Sequence, residues 1–200
     1  ATLAQELLTI AGAVGDQESQ FHALFTLGDV AKSQGDDVHA LHFYQQSFMM
    51  ARVADDQRNR SMVLSRLGEL ALRRGNHEEA VTHYKESLSL ASTFEDRAVI
   101  GWSLLGLARI ARAEGHYWRA ASLLGAGEAC LNTSLDLDLV ARTAYERDVA
   151  ALQTYLGADV YRQMRDEGRE LTPEQALAVT EPAPAEQPSR HILYPDGLTA

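Results

Sequence analysis

The sequence has little that would support a disulfide framework, a membrane span or nucleic-acid binding. A single cysteine, Cys130, cannot form an internal disulfide, which fits a reducing cytosol and predicts a cytoplasmic protein. No apolar run approaches the ~18 residues needed to cross a bilayer, so no membrane partner is expected. Acidic residues outnumber basic ones by 28 to 18, and the net charge of -10 would repel a phosphate backbone.

The sequence also lacks the short motifs that carry catalysis or cofactor binding. It contains no G-x-x-x-x-G-K-[ST], G-x-G-x-x-G, H-E-x-x-H or C-x-x-C, so neither an enzyme nor a cofactor is predicted. Gly125 and Gly127 lie inside a helical pattern and are interpreted as small residues for close helix packing. His39 and His42 lie one turn apart, but a metal site needs three or four ligands, so solvated histidines and no metal are predicted.

Proline is confined to the C-terminal end, and the rest of the chain repeats with a period of 40 residues. Four of the five prolines fall in the final 20 residues. The repeat aligns without gaps in the following columns: Leu24, Leu64 and Leu104; Leu27, Leu67 and Leu107; Gly28, Gly68 and Ala108; Ala31, Ala71 and Ala111; Gly35, Gly75 and Gly115; Ala40, Ala80 and Ala120; Tyr44, Tyr84 and Leu124. An acid begins each unit, at Asp16, Asp56, Asp96 and Asp136. A fixed period of this kind indicates a stack of repeated structural units.

The spacing within one unit predicts two helices. Positions 24, 27, 28 and 31 follow i, i+3, i+4 and i+7 and form one helical stripe, which Gly35 would end by adopting the left-handed conformation. A second stripe passes through positions 40, 44, 47 and 51. The small residues Gly28 and Ala40 would let two antiparallel backbones approach, with Tyr44 filling the space beside them. The sequence therefore predicts an all-α chain of stacked helical hairpins.

This pattern resembles the tetratricopeptide repeat. The family's large residue, Leu-Gly pair, small residues and aromatic correspond to Leu24, Leu27-Gly28, Ala31, Ala40 and Tyr44, and the second and third units follow in register. The units depart from the family in having 40 residues instead of 34 and no proline between units. The resemblance implies hairpins stacked in a right-handed superhelix, with a partial unit at 1–15 and full units at about 16–55, 56–95 and 96–135.

Both ends of the repeat region differ from the full units. Residues 1–14 carry the pattern of a second helix, so we expect the sequence to begin inside a repeat. Residues 136–180 are predicted to form an atypical helical cap, whose last helix opens with a capping box at Thr172 and Gln175 around Pro173. Residues 181–200 are proline-rich and predicted to be a linker that leads into a further domain.

The first helix of each unit supplies the candidate binding residues, because in the tetratricopeptide family this helix lines the concave face. The corresponding positions are His22, Phe25, Asp29 and Lys32, then Met62, Ser65, Glu69 and Arg73, then Trp102, Leu105, Arg109 and Arg112. Such a groove could hold a protein, a peptide or a small-molecule effector. The alternative is that the apolar members of this set are buried, since a groove face and a core face share one helical period.

The order of segments resembles a large bacterial regulator of the LuxR class. That resemblance rests on "GLARIARAEGHYWRAASLLGAGEA", on "YERDVAALQTYLGADVYRQMRDEGRELTPEQALAV", and on "YPDGLTA" at residues 194–200, which looks like the lead-in to a helix-turn-helix domain with Thr199 as its first helix cap. It implies a repeat-based sensor that passes effector binding to a DNA-binding domain absent from this chain, with an ATPase module upstream. The alternatives are a free-standing adaptor and an accessory segment of a cyclase or kinase.

Overall fold

The computed structural model describes residues 2–131 and 139–180, and these ranges fold into helices. In chain order they are α1 (Thr2–Val14), α2 (Gln17–Ser33), α3 (Asp37–Val53), α4 (Gln57–Arg73), α5 (His77–Ser92), α6 (Arg97–Ala113), α7 (Tyr117–Leu131), α8 (Leu139–Leu156), α9 (Ala158–Arg169) and α10 (Pro173–Thr180). Consecutive helices from α1 to α7 pack on one another. The predicted all-α fold of helical hairpins is confirmed.

The acids that begin the units are helix N-caps. The side chains of Asp16, Asp56 and Asp96 each accept a hydrogen bond from the backbone N–H three residues further on. Asp36 and Asn76 do the same at the second helices of the first two full units. Such a bond satisfies one of the backbone donors that the first turn of a helix leaves free. Asp136 lies outside the described residues.

The first helix of each full unit ends at a glycine in the left-handed conformation, as predicted for Gly35. Gly35, Gly75 and Gly115 have φ values of 77°, 77° and 82°, which glycine adopts without a steric penalty. The turns between units use the same conformation at Asp55 and Glu95, each with φ of 53°. In both kinds of turn the next backbone N–H bonds to the carbonyl five residues earlier, which ties the turn to the last turn of the helix.

A tyrosine fills the space beside a glycine within each of the first two full hairpins. A Cβ added at Gly28 would lie 2.5 Å from Cε1 of Tyr44, and one added at Gly68 would lie 2.9 Å from Cδ1 of Tyr84. Gly106 on α6 faces the other side of the Tyr84 ring, where a side chain would overlap it. Tyr84 therefore packs against both its own hairpin and the next one.

The core consists of two clusters of buried side chains. One joins α2, α3 and α4 and contains Phe21, Tyr44, Val63, Leu67 and Leu70 with neighbouring alanines. The larger one extends from α4 to α10 and includes Leu104, Leu124, Leu152, Tyr161 and Ala176. The C-terminal helices are thus attached to the repeat stack by a continuous apolar core.

Within residues 139–180, three helices follow the last full unit. Helix α9 packs closely on α7, because a Cβ at Gly125 would overlap the carbonyl of Arg165 and one at Gly168 would overlap that of Ser122. The interpretation of Gly125 as a packing residue is confirmed. Helix α10 contacts α5, α6 and α7. It begins with the predicted capping box, in which Thr172 and Gln175 exchange backbone-to-side-chain hydrogen bonds of 2.8 and 3.3 Å.

The predicted linker and the helix-turn-helix lead-in, with Thr199 as its cap, lie outside the described residues. Within the described ranges, none of the helices combines the length and apolar character that a bilayer span requires.

Candidate functional site

The predicted groove residues are brought together on neighbouring helices, but they differ in exposure. His22 and Arg73 are exposed, whereas Phe25, Met62 and Trp102 are partly buried. Ser65 and Leu105 are buried, with 4% and 9% of their surface accessible. The apolar members therefore divide: Leu105 belongs to the core, and Phe25, Met62 and Trp102 keep part of their surface available for contact.

Ion pairs join the groove positions of α2 to helix α4. Asp29 lies 3.0 Å from Nε of Arg66 and accepts a 2.7 Å hydrogen bond from the hydroxyl of Tyr44. One turn further along, Lys32 lies 2.7 Å from Glu69. The carboxylate of Asp29 thus links three helices, and the two pairs fix the register of α2 against α4. All four charged side chains keep between 17% and 37% of their surface accessible.

These contacts, together with burial, change the acid–base behaviour of Tyr44 and Tyr84. Burial raises the pKa of Tyr44 far above its usual range, and the negative charge of Asp29 adds to the effect. Burial also raises the pKa of Tyr84, with Glu69 contributing in the same direction. Both phenols therefore remain protonated donors at physiological pH.

Phe25 lies in an aromatic and cationic environment. Its ring is stacked on Phe21 at a centroid distance of 6.0 Å and tilted against Tyr44 at 5.9 Å. The guanidinium carbon of Arg66 lies 5.7 Å from the centre of the Phe25 ring, within the range of a cation–π contact. These contacts pack around the Phe25 ring, and the residue stays partly accessible.

At the end of α4, Arg73 connects the two hairpins. Its guanidinium pairs with Asp37 at 3.0 Å and donates a 3.0 Å hydrogen bond to the carbonyl of Lys32. Arg73 therefore spans from the second unit to both helices of the first.

In the third unit, the groove arginines contact helix α8. Nε of Arg112 lies 2.8 Å from one oxygen of Asp148, and Nε of Arg109 lies 3.4 Å from the other. Asp148 is 3% accessible, and neither of its oxygens makes an aligned hydrogen bond. One buried carboxylate thus faces two guanidinium groups.

A second buried carboxylate, Glu128 on α7, connects the stack to α8 and α9. It accepts a hydrogen bond from the hydroxyl of Tyr145 and is held by Nε and Nη2 of Arg165 at 2.9 and 2.6 Å. Arg169 lies 3.7 Å away. Burial and the bond to Glu128 raise the pKa of Tyr145, so the phenol stays a donor.

Sequence reasoning missed both buried carboxylates, although the repeat register contains a signal for them. Asp148 falls in the column of Gly28, Gly68 and Ala108, and Glu128 falls in the column of Leu8, Phe48 and Leu88. Each acid thus departs from a column of small or apolar residues. Arg66, the partner of Asp29, was also missed, because Thr26 and Gly106 share its column and set no pattern.

His39, His42 and His83 lie on helices and have local partners. Nδ1 of His39 lies 2.6 Å from Asp36, and Nε2 of His42 lies 3.2 Å from the side chain of Gln46. His83 faces Glu79 at 3.6 Å. Among residues 2–131 and 139–180, no three histidine, cysteine, aspartate or glutamate side chains gather in a way that could hold a metal ion.

A cleft outside the predicted groove opens between α1, α2 and α3. Its volume is about 520 Å³, and it is lined by Leu8, Leu24, His42, Gln45, Gln46, Met49 and Met50. None of these residues is among the twelve predicted ones. The charged members of the predicted groove positions are instead engaged in ion pairs.

The comparison with known families agrees with the repeat architecture. Residues 59–132, from α4 to just beyond α7, match the family model described as tetratricopeptide repeat. No curated protein and no solved structure matches the chain significantly. The fold is therefore an all-α stack of tetratricopeptide-like hairpins. Such repeats generally bind protein partners, and helical folds of this kind are typically non-catalytic scaffolds.

Proposed function

We propose that this chain is a protein-interaction scaffold that binds a peptide segment of its partner across the groove positions of α2, α4 and α6. The observation that carries the proposal is the partial exposure of Phe25, Met62 and Trp102 on three successive first helices. Large apolar side chains that keep part of their surface accessible are favoured anchors for a partner.

The spacing of these anchors defines the partner. Packed helices lie with their axes about 8–10 Å apart. A peptide in the extended polyproline II conformation rises about 3.1 Å per residue and has about three residues per turn, so every third side chain lies on the same side. A segment with apolar side chains about three residues apart would therefore reach successive first helices. Asp29, Glu69 and Arg73, each about a third accessible, would orient its polar groups.

Selection from a phage-displayed random peptide library on the immobilised full chain tests the proposal. Selected peptides should lose affinity by at least about thirtyfold for a Phe25→Ala, Met62→Ala variant, because such truncations at interface anchors cost more than about 1 kcal/mol each. Met49→Ala, in the cleft between α1, α2 and α3, is the control and should leave binding unchanged. Peptides that depend on Met49 and not on Phe25 and Met62 would reject the proposed surface.

We also propose that the scaffold serves as the sensor segment of a LuxR-class transcription regulator, coupling effector binding to a DNA-binding domain. The support is the sequence "YPDGLTA" at residues 194–200, which resembles the lead-in to such a domain. Sequencing the complete reading frame tests this: a helix-turn-helix pattern after Ala200 is expected. A catalytic cyclase or kinase domain, or no further domain, would instead favour the accessory-segment or adaptor reading.

A further inference from the structure

Helix α8 is long but weakly buried. It has 18 residues, yet among Arg142–Leu156 only Asp148 and Leu152 are buried, while Tyr145, Val149 and Leu156 pack partly against the core. Helix α6, with 17 residues, buries eleven. A segment with few buried apolar contacts opens at a lower free energy than the elements around it.

The buried ionic contact of α8 is also incomplete. Asp148 supplies one carboxylate for two guanidinium groups, and its oxygens lack aligned hydrogen bonds. A buried ion pair repays the cost of desolvation only when its geometry is good and its remaining hydrogen bonds are made. The pair Arg109 and Arg112 therefore retains a net positive charge that α8 does not neutralise.

We propose that α8 is a displaceable occupant of the third unit, and that the surface around Arg109 and Arg112 binds an acidic helical segment of a partner in its place. This proposal rests on the proposed function, because both arginines belong to the predicted groove. The further proposal names the class of partner, an acidic helical segment, and identifies α8 as a competitor within the same chain.

The contacts of α8 define the partner's chemistry. The occupant must present a carboxylate toward Arg109 and Arg112 and an apolar side chain one turn later, as α8 does with Asp148 and Leu152. Residues four apart lie on the same face of a helix, so a helical segment meets both demands. A partner with a second carboxylate beside the first would give each arginine its own acid, which α8 cannot do.

Tethering makes α8 a strong competitor despite its weak contacts. A short tether gives an attached segment an effective concentration on the order of millimolar. A partner therefore binds the intact chain weakly and gains affinity when the α8 contact is weakened. Removing the charge of Asp148 alone should produce that gain.

The test uses a fluorescein-labelled synthetic peptide of residues 139–156 and the full chain, with affinity measured by fluorescence anisotropy. We expect the peptide to bind an Asp148→Asn chain at least about tenfold more tightly than the wild-type chain, because the tethered competitor is weakened. A peptide carrying the same Asp148→Asn change should lose that binding, and so should a chain that combines Asp148→Asn with Arg109→Gln and Arg112→Gln. A Glu146→Gln chain, changed at an exposed acid of α8, is the matched control and should behave as wild type.

Equal binding by the wild-type and Asp148→Asn chains would overturn the proposal, as would binding that survives the loss of both arginines. Hydrogen exchange on the wild-type chain gives an independent test in case a variant folds poorly. Amides of α8 should exchange faster than those of α6 and α7, by local opening. Exchange of α8 only through global unfolding would make it a fixed part of the fold and reject the proposal.

These outcomes are separate from the test of the proposed function. Library peptides that depend on Phe25 and Met62 would support the groove even if α8 proves fixed. If peptide 139–156 binds through Arg109 and Arg112 but no selected peptide depends on Phe25, the third unit is instead the only supported binding surface.

Discussion

Helices α6 and α8 are nearly equal in length, with 17 and 18 residues, but the fold holds them in different ways. Helix α6 buries a face of leucines, isoleucine and small residues between its own hairpin and the preceding one. Helix α8 contacts α6, α7 and α9 through the carboxylate of Asp148, the neutral hydroxyl of Tyr145, one fully buried leucine and a few partly buried apolar side chains. Apolar burial stabilises a helix in proportion to the area removed from water, whereas buried charges lose much of their attraction to desolvation.

The largest difference between the two helices should appear when one equally buried leucine is truncated in each. Leu104 and Leu152 are both 1% accessible. Leu104→Ala should lower the free energy of unfolding by about 3 kcal/mol, through lost burial and a cavity in the stack. Leu152→Ala should lower it by less than about 1 kcal/mol, because α8 opens separately.

Urea denaturation followed by tryptophan fluorescence measures both variants, since Trp102 and Trp118 lie in α6 and α7. Equal losses from the two substitutions would contradict the difference between the helices.

A substitution at the close contact of α9 with α7 should destabilise the protein nearly as much as one in the stacked helices. Gly125→Ala places a methyl group against the backbone carbonyl of Arg165, which cannot move as a flexible side chain would. We expect a loss of about 2 kcal/mol, the usual cost of overpacking. Gly12→Ala in α1, where nothing lies within 4 Å of the added methyl, should instead be neutral or stabilise by up to about 1 kcal/mol. Thermal unfolding distinguishes the two, and a Gly125→Ala chain as stable as the Gly12→Ala chain would refute the close contact.

Alkaline pH should weaken both regions through their buried tyrosines. The pKa values of Tyr44, Tyr84 and Tyr145 are raised, so above about pH 10 the unfolded chain loses these protons while the folded chain keeps them. Stability is therefore complete below pH 10 and falls as pH rises, by up to about 1.4 kcal/mol per pH unit for each tyrosine. The Tyr84→Phe variant should therefore show a weaker fall of the free energy of unfolding with pH, by the contribution of one proton. Urea denaturation at several pH values from 10 to 11 measures this dependence. If the free energy of unfolding of the variant falls with pH as steeply as that of the wild type, Tyr84 does not contribute.

The smallest expected effects concern the helix caps of the stack. Asp56→Ala removes the 2.9 Å bond to the backbone N–H of Asn59 and should cost about 1 kcal/mol. Asp56→Asn should lower the free energy of unfolding by only about a few tenths of a kcal/mol, because asparagine can cap a helix in the same way, as Asn76 does for α5. Urea midpoints measure both, and equal losses would show that the side-chain acceptor is not what matters.

The repeat region could be predicted from the sequence because one rule accounts for each column. Gly28 and Tyr44 had to face each other once two antiparallel helices were inferred, and they do. Gly35 had to end a helix, and its positive φ agrees. Each assignment depended on local geometry that three units repeat.

The C-terminal contacts could not be predicted in the same way, because they occur once. Nothing in the spacing of Asp148 shows that it faces Arg109 and Arg112 on another helix. Likewise, Leu105 shares the period of a groove residue, and only the packing of Gly127 against it reveals that it is buried. Long-range partners of single residues depend on tertiary packing, which a helical period does not encode.

The junctions between units have a consequence for the evolution of the chain. At three of these junctions, the backbone N–H of an aspartate donates a hydrogen bond to the carbonyl of an alanine five residues earlier. The bonds join Asp16 to Ala11, Asp56 to Ala51 and Asp96 to Ala91, at 2.9, 2.8 and 3.1 Å. The segment 56–95 therefore begins and ends with interchangeable joints. A tandem duplication of that segment would place a second Asp56 after Glu95, where its backbone N–H can make the same bond to the Ala91 carbonyl that Asp96 makes now.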